Sequence, residues 1–176
     1  DVAVVGTIAY VYGSDGGGTW SLDVVDITDP AGPVALTSVP MPQDQYGSDG
    51  EIRVRDGYAF MSRGDGAQHD GGLTIFDVSN PAAPLEVASL SWEHAGDLPW
   101  KGSGLGLSGN RAYVVSGDGI HVIDITDPTT PVPVTIMPFP AAAATGAAGG
   151  HIEFAGDLAY VTVANYGYGG LAVYRI

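Results

Sequence analysis

Three side chains in this sequence are candidate ligands of a divalent metal ion. They are Glu51, His94 and His151. A carboxylate together with imidazoles suits zinc or manganese. They lack the short spacing that fixes two ligands on one element, such as His-x-x-x-His. They can therefore form a metal site only if the fold brings distant segments together, and the alternative is that they are solvated loop residues.

Several Asp-Gly sequences offer oxygen atoms of the kind that calcium binds. Gly-Ser-Asp-Gly occurs at 13–16 and again at 47–50, and similar sequences begin at Arg63 and Ser116. The same dipeptide is ordinary turn chemistry, and the carboxylate spacing of an EF-hand loop is missing. The prediction is therefore no cofactor, with a divalent ion such as calcium or zinc as the alternative.

Aromatic side chains in irregular segments are the candidates for ligand binding. Tyr and Trp combine a large apolar ring with a polar tip and are enriched at recognition surfaces. Packing of these rings onto the scaffold is an alternative of equal weight. His121, in contrast, is predicted to be a surface residue of a strand. The predicted binding residues are Tyr46, Trp92, Trp100, Tyr166 and Tyr168.

The composition excludes several other kinds of chemistry. The chain of 176 residues has no cysteine, so thiol nucleophiles, disulfides and cysteine-ligated metals are excluded. Six basic residues against 20 acidic ones give a formal charge of −14, which argues against nucleic acid and anionic membrane surfaces as partners. No Ser/His/Asp arrangement can be recognised. No catalytic residue is therefore predicted, and no stretch has the roughly 18 apolar residues of a membrane helix.

An internal repeat organises the chain and must position these side chains. A strand signature of a small residue, an aromatic residue and an apolar residue recurs at intervals of 50, 53 and 47 residues. A second strand signature follows each one, and in three of them it ends at an aspartate that opens an Asp-x-Ser/Thr-Asp/Asn-Pro turn: Asp26, Asp77 and Asp124. The first signature occurs at Ala9-Tyr10-Val11, Ala59-Phe60-Met61, Ala112-Tyr113-Val114 and Ala159-Tyr160-Val161.

Each repeat unit is predicted to form four short strands, because apolar residues alternate and β-branched residues are frequent. In the second unit these strands are predicted at 52–55, 58–62, 73–78 and 85–90. Repeated four-stranded units of this length are typical of a β-propeller. We therefore predict an all-β propeller of antiparallel blades. The units are residues 1–50, 51–103, 104–150 and 151–176, and the last one is incomplete.

Aligning the units places one residue of each at the start of the innermost strand: Asp1, Glu51, Gly104 and His151. We expect these four positions to surround the mouth of the central channel. His94 lies in an irregular segment expected on the same side of the propeller. A metal ion held there would serve a hydrolase or an oxidoreductase, which is one alternative function.

The recurring motifs resemble the LVIVD-repeat family. They are the Ala-Tyr-Val strand, the Gly-Leu-x-Val-x-Asp strand and the Asp-x-Ser/Thr-Asp/Asn-Pro-x-x-Pro turn. The last unit departs, with Arg175 in the place of the aspartate. The resemblance implies propeller-forming repeats, mostly bacterial or archaeal, in surface or secreted proteins generally without assigned activity. It therefore implies a non-catalytic extracellular, cell-surface or periplasmic module that binds protein or glycan.

The fourth unit stops before its last strand and its proline turn. An incomplete blade leaves exposed edges, which tend to pair with other chains. We expect the propeller to be completed by the remainder of a longer chain or by another subunit, so a structural subunit is the other alternative function. The first residues also lack the pattern of a signal peptide, which is expected of a mature protein or an excised piece.

Overall fold

The computed structural model describes residues 1–14, 19–41, 50–63, 70–93, 104–139, 148–165 and 168–176, and all structural statements below concern this part of the chain. It consists of strands and turns and contains no helix that could span a membrane. Four antiparallel sheets follow one another along the sequence, and in each the strands pair in chain order. The predicted all-β propeller of four-stranded blades is thereby confirmed, as is the incomplete last blade.

The bounds of the strands repeat closely from sheet to sheet. The first sheet contains β1 (Val2–Val5), β2 (Ile8–Ser14), β3 (Trp20–Asp26) and β4 (Val34–Met41). The second contains β5 (Ile52–Arg55), β6 (Tyr58–Arg63), β7 (Asp70–Asp77) and β8 (Leu85–Glu93). The third contains β9 (Leu105–Ser108), β10 (Arg111–Ser116), β11 (Gly119–Asp124) and β12 (Val132–Met137). The fourth contains β13 (Ala148–Ala155), β14 (Leu158–Asn165) and β15 (Tyr168–Arg175).

Tight turns join the two inner strands of each sheet at one end of the molecule. In the second sheet the turn residues Asp56 and Gly57 have φ angles of 52° and 81°. Two consecutive positive φ angles are typical of the two-residue hairpin turns that match the twist of antiparallel strands. Glycine adopts them without strain, which explains Asp-Gly at this point of the sequence.

Aspartate side chains shape the turns that follow the third strands. Asp26, Asp77 and Asp124 each accept, through Oδ1, the backbone N–H of the residue two positions later, at 2.8–2.9 Å. The next Asx residue of each turn does the same, with Asn80 in the second sheet. A side-chain oxygen that captures a nearby amide stabilises a turn and ends a strand. These aspartates therefore have a structural role in the turns.

The outer strands carry features that discourage pairing with other chains. Each complete sheet has a shift in register between its third and fourth strands, at equivalent positions in the three sheets. Pro40 and Pro133 lie within β4 and β12, where they remove backbone donors. Bulges and prolines are the ordinary means by which an edge strand is protected from aggregation.

The hydrophobic core lies between sheets. We call the face of a sheet that packs on the preceding sheet its front face, and the one that packs on the following sheet its back face. Three clusters of buried residues join the first sheet to the second, the second to the third and the third to the fourth. Among the described residues, no such cluster joins the fourth sheet to the first. The back faces supply the repeated aromatic residues Tyr10, Phe60 and Tyr113, which are buried.

Acid should weaken the turns, because hydrogen bonds from Ser and Thr hydroxyls and amides lower the pKa of Asp26, Asp77 and Asp124 below 3.8. A lowered folded-state pKa gives stabilisation that is present above the ordinary pKa and is lost as the pH falls through the lowered one. Asparagine keeps the accepting oxygen, as Asn80 shows, but does not titrate in this range. In the triple variant D26N/D77N/D124N, the thermal midpoint should therefore fall less between about pH 5 and pH 2 than in the wild type. If calorimetry shows the same fall of the thermal midpoint in both proteins over this pH range, the proposed contribution of the three carboxylates is contradicted.

Candidate functional site

The predicted equivalence at the channel mouth is visible in the hydrogen bonding. The carbonyls of Asp1, Glu51 and Gly104 each accept the backbone N–H of the residue eleven positions later, at 2.9, 3.0 and 2.8 Å. His151 also bonds the residue eleven positions later, but through a side chain: Thr162 Oγ1 accepts the His151 N–H at 2.9 Å, as Ser62 Oγ accepts the Glu51 N–H at 2.9 Å. These four residues therefore lie at the same level of the four innermost strands.

Glu51 is the centre of a charged network at this level. Its Oε1 is 2.6 Å from Nδ1 of His151, in the fourth sheet. Its Oε2 accepts hydrogen bonds from Arg53 Nη2 at 2.8 Å and from the backbone N–H of Leu105 at 2.9 Å. The side chain is only 18% exposed, so these partners replace most of the water that a carboxylate needs.

Asp1 repeats part of this arrangement one sheet earlier. Its Oδ2 accepts the backbone N–H of Ile52 at 3.0 Å and a hydrogen bond from Arg53 Nη1 at 3.1 Å. Ile52 and Leu105 are the first residues of β5 and β9. In both cases a carboxylate at the start of one innermost strand accepts the first amide of the next. This device fastens neighbouring sheets to each other at the channel mouth.

Gly104 explains why Glu51 can reach the fourth sheet across the third. A Cβ atom at this position would lie 2.0 Å from the carbonyl oxygen of Gly150. The third sheet therefore approaches the fourth through backbone alone and presents no side chain at this level. The carboxylate of Glu51 passes over it to meet the imidazole of His151.

Both ring nitrogens of His151 face carboxylates. Nε2 is 2.9 Å from Oε1 of Glu153, and Nδ1 is the nitrogen that meets Glu51. Only the protonated imidazole can donate from both nitrogens. The hydrogen bond to Glu51 is the main cause that raises the pKa of His151 above 6.5. The arrangement is thus suited to holding an imidazolium between two acids.

The structure brings together two of the three predicted metal ligands. Glu51 and His151 are in contact, whereas His94 lies outside the described residues. Within the described part of the chain, no group of three or more His, Asp or Glu side chains is arranged to hold a metal ion. The metal site over Glu51, His94 and His151 stays a prediction.

A second feature lies at the same end of the strands, between the second and third sheets. The ring of Trp92, near the end of β8, stacks on the ring of His121 in β11, with centroids 4.2 Å apart and an angle of 12° between planes. His121 Nε2 is 2.9 Å from Oδ1 of Asp118. The prediction of His121 as a surface residue is wrong. It is only 8% exposed, because the indole of the neighbouring sheet covers it.

An apolar groove runs beside this stacked pair and has a volume of about 310 Å³. Trp92 and His121 form one part of its wall, and the outer strand β12 forms another. Val134 and Ile136 of β12 are 48% and 46% exposed. The Trp92 Nε1 atom is buried and has no hydrogen-bond partner among the described residues. The groove therefore exposes aliphatic surface next to an aromatic stack.

The other predicted binding residues are not placed by the structure. Tyr46, Trp100 and Tyr166 lie outside the described residues, and Tyr168 begins β15 with a side chain that is likewise outside them. Trp92 alone is placed, and it both packs against the core and lines the groove. Sequence analysis missed His121 and β12 as parts of the groove, although the apolar residues of β12 were a visible signal.

The repeated sheets, their turns and their inner-strand network define a β-propeller module. The family model for the LVIVD repeat matches residues 1–40, 47–91 and 101–137, and the chain therefore belongs to the LVIVD-repeat family. A crystal structure of a functionally unknown protein from Desulfotomaculum acetoxidans DSM 771 is similar, with a TM-score of 0.66 and 15% sequence identity. The match covers 99% of this chain and 54% of that chain, so this chain spans about half of the other. No curated protein matches the sequence.

The network at the channel mouth should make stability depend on pH through His151. A raised folded-state pKa gives stabilisation that is fully present below 6.5 and is lost as the pH rises through the folded-state value. In His151→Asn, the thermal midpoint should lie below that of the wild type near pH 5.5 and approach it near about pH 9. The other histidines remain in both proteins, so the difference between the two curves reports on His151. A difference that does not change with pH would contradict the ion pair.

Two substitutions at Trp92 should separate the contribution of its ring to stability from that of its buried N–H group. Trp92→Phe keeps an aromatic ring over His121 and removes a donor without a partner, whose burial costs about 1–3 kcal/mol. Its free energy of unfolding should stay within about 1 kcal/mol of the wild type, whereas Trp92→Ala should lose about 2 kcal/mol. Urea unfolding measures both. Equal losses in the two variants would show that the ring contributes little.

Proposed function

We propose that this chain is a non-catalytic binding module that holds an apolar side chain of a protein partner in the groove between its second and third sheets. The observation that carries the proposal is the exposed aliphatic surface of β12 beside the stacked rings of Trp92 and His121. Concave apolar surfaces with an aromatic anchor are typical of binding sites. An extracellular or cell-surface setting, which the family resemblance implies, is part of the proposal.

The lining of the groove favours protein over glycan as the partner. Besides the stacked pair it consists mainly of Leu90, Ile123, Val134 and Ile136, with few polar side chains. A sugar needs its hydroxyl groups replaced by matched hydrogen-bond partners, because an unpaired buried polar group is costly. An aliphatic or aromatic side chain of a protein needs only the removal of its apolar surface from water.

The placement of the titratable groups supports binding over catalysis. His121 lies under Trp92 and is bonded to Asp118. His151 is held between Glu51 and Glu153. Both side chains therefore have partners within the fold, which leaves the metal-dependent enzyme as the less supported alternative.

The test uses a matched pair of substitutions on β12. Val134→Asp puts a carboxylate into the groove, whereas Val132→Asp changes a residue that is 58% exposed on the same strand and outside the groove. Displayed random peptides are selected on the wild-type chain, and the affinity of the selected peptides is measured by calorimetry. The peptides should carry a large apolar residue. They should bind Val134→Asp at least about tenfold more weakly and Val132→Asp unchanged, because a carboxylate in an apolar groove is costly.

Two results would overturn the proposal. The first is that selected peptides bind both variants as tightly as the wild type, which would place binding elsewhere on the molecule. The second is binding on an array of glycans, sensitive to Val134→Asp, when no peptide binds. That result would assign the groove to sugars. Circular dichroism of each variant shows that loss of binding does not come from loss of the fold.

A further inference from the structure

The front face of the first sheet and the back face of the fourth sheet carry the same kinds of apolar residues as the faces buried between sheets. We call them the end faces, and both are uncovered. Val2, on the front face of the first sheet, is 54% exposed. The equivalent residues of the next three sheets, Ile52, Leu105 and Ile152, are 0%, 0% and 2% exposed because a preceding sheet covers them. Val4, on the same face, is 55% exposed. The first sheet thus carries an interface face without a neighbour.

The back face of the fourth sheet shows the complementary case. Leu171 is 63% exposed, whereas its equivalents Leu22, Leu73 and Ile120 are all 0% exposed against the following sheet. Val173 is 51% exposed. Its equivalents in the three earlier sheets are at most 2% exposed. This face therefore has the apolar residues of an interface and lacks the sheet that would cover them.

We propose that these two faces pack on each other between two copies of the chain, head to tail, so that two copies close one propeller. The inner interfaces show that a back face takes a front face as its partner. One molecule offers an uncovered face of each kind, and among the described residues no cluster joins them within the same molecule. A second copy supplies the front face for Leu171 and Val173 and the back face for Val2 and Val4.

The similar crystal structure supports the size of such a ring. Almost the whole of this chain matches about half of that single chain. That chain therefore has about the length of two copies of this chain. Two copies in head-to-tail contact form a closed pair when the rotation that takes the first copy onto the second also takes the second copy back onto the first. Both contacts of the pair are then equivalent, and no apolar end face remains in water.

Sedimentation and light scattering of the purified chain provide the first test. The expected species has twice the 18.0 kDa mass of the chain. Val4→Asp and Leu171→Asp should each raise the dissociation constant about 100-fold, because each buries a carboxylate without a partner in both contacts. Leu85→Asp is the matched control, since Leu85 is 65% exposed and belongs to neither end face. It should leave the dimer unchanged.

A mixture of the two variants gives the sharper test. In a head-to-tail pair of one Val4→Asp chain and one Leu171→Asp chain, both substitutions fall in the same contact and the other contact is intact. Equimolar mixing should therefore restore a heterodimer that neither variant forms alone, with an affinity below that of the wild-type dimer. If the dimer instead formed through two front faces or two back faces, mixing the variants would not restore a heterodimer.

Three outcomes would overturn the proposal. They are a wild-type chain that stays at 18.0 kDa at about 100 μM, a dimer that survives either substitution, and a mixture that stays monomeric. Because both residues are more than half exposed in one copy, the substitutions remove no core packing, and circular dichroism checks that each variant is folded. Val134→Asp should not affect the dimer, so this test is independent of the proposed binding groove.

Discussion

The structure depends on one constraint: a small four-stranded sheet with two apolar faces cannot bury either face by itself. Each sheet is too thin to have an interior, so its side chains leave water only between two sheets. This is why the aromatic residue of each inner strand is buried when a following sheet exists. Tyr10 and Tyr113 are 4% and 3% exposed, whereas Tyr160, on the back face of the last sheet, is only partly buried. The degree of burial is set by the neighbour and not by the residue.

Polar contacts then fix how the sheets meet at the channel. The apolar clusters are not directional, and they would tolerate small rotations of one sheet on another. The carboxylates of Asp1 and Glu51 add direction, because each accepts one particular amide of the next innermost strand. Arg53 lies between these carboxylates and bonds both, which neutralises part of their mutual repulsion. The charged network therefore holds the sheets in register at the level where the innermost strands begin.

The sequence predicts the structural features that recur in every repeat unit and few of those that occur only once. The strands of the second unit, the turns at Asp77 and the common level of Glu51 and His151 all follow from aligning the units, because pairing register repeats with the sequence. The contact of Trp92 with His121 does not follow, because it joins different positions of two neighbouring sheets. The imidazole was expected at the surface since its equivalents are polar or small. The equivalents Thr74 and Ala172 are nevertheless buried as well, at 0% and 8% exposed, because this position lies on the face that packs on the preceding sheet.

Trp92 nevertheless occupies a position that repeats from sheet to sheet, although the sequence analysis counted it among the aromatic residues of irregular segments. The residues two positions beyond the paired Val39, Leu90 and Met137 are Met41, Trp92 and Phe139. Met41 and Phe139 are 3% and 7% exposed and close the top of their clusters. The indole at the same place is too large to be buried to that extent, so it spreads over His121 and leaves a groove at its side. The proposed binding groove thus lies where a structural position of the repeat holds a side chain larger than its equivalents.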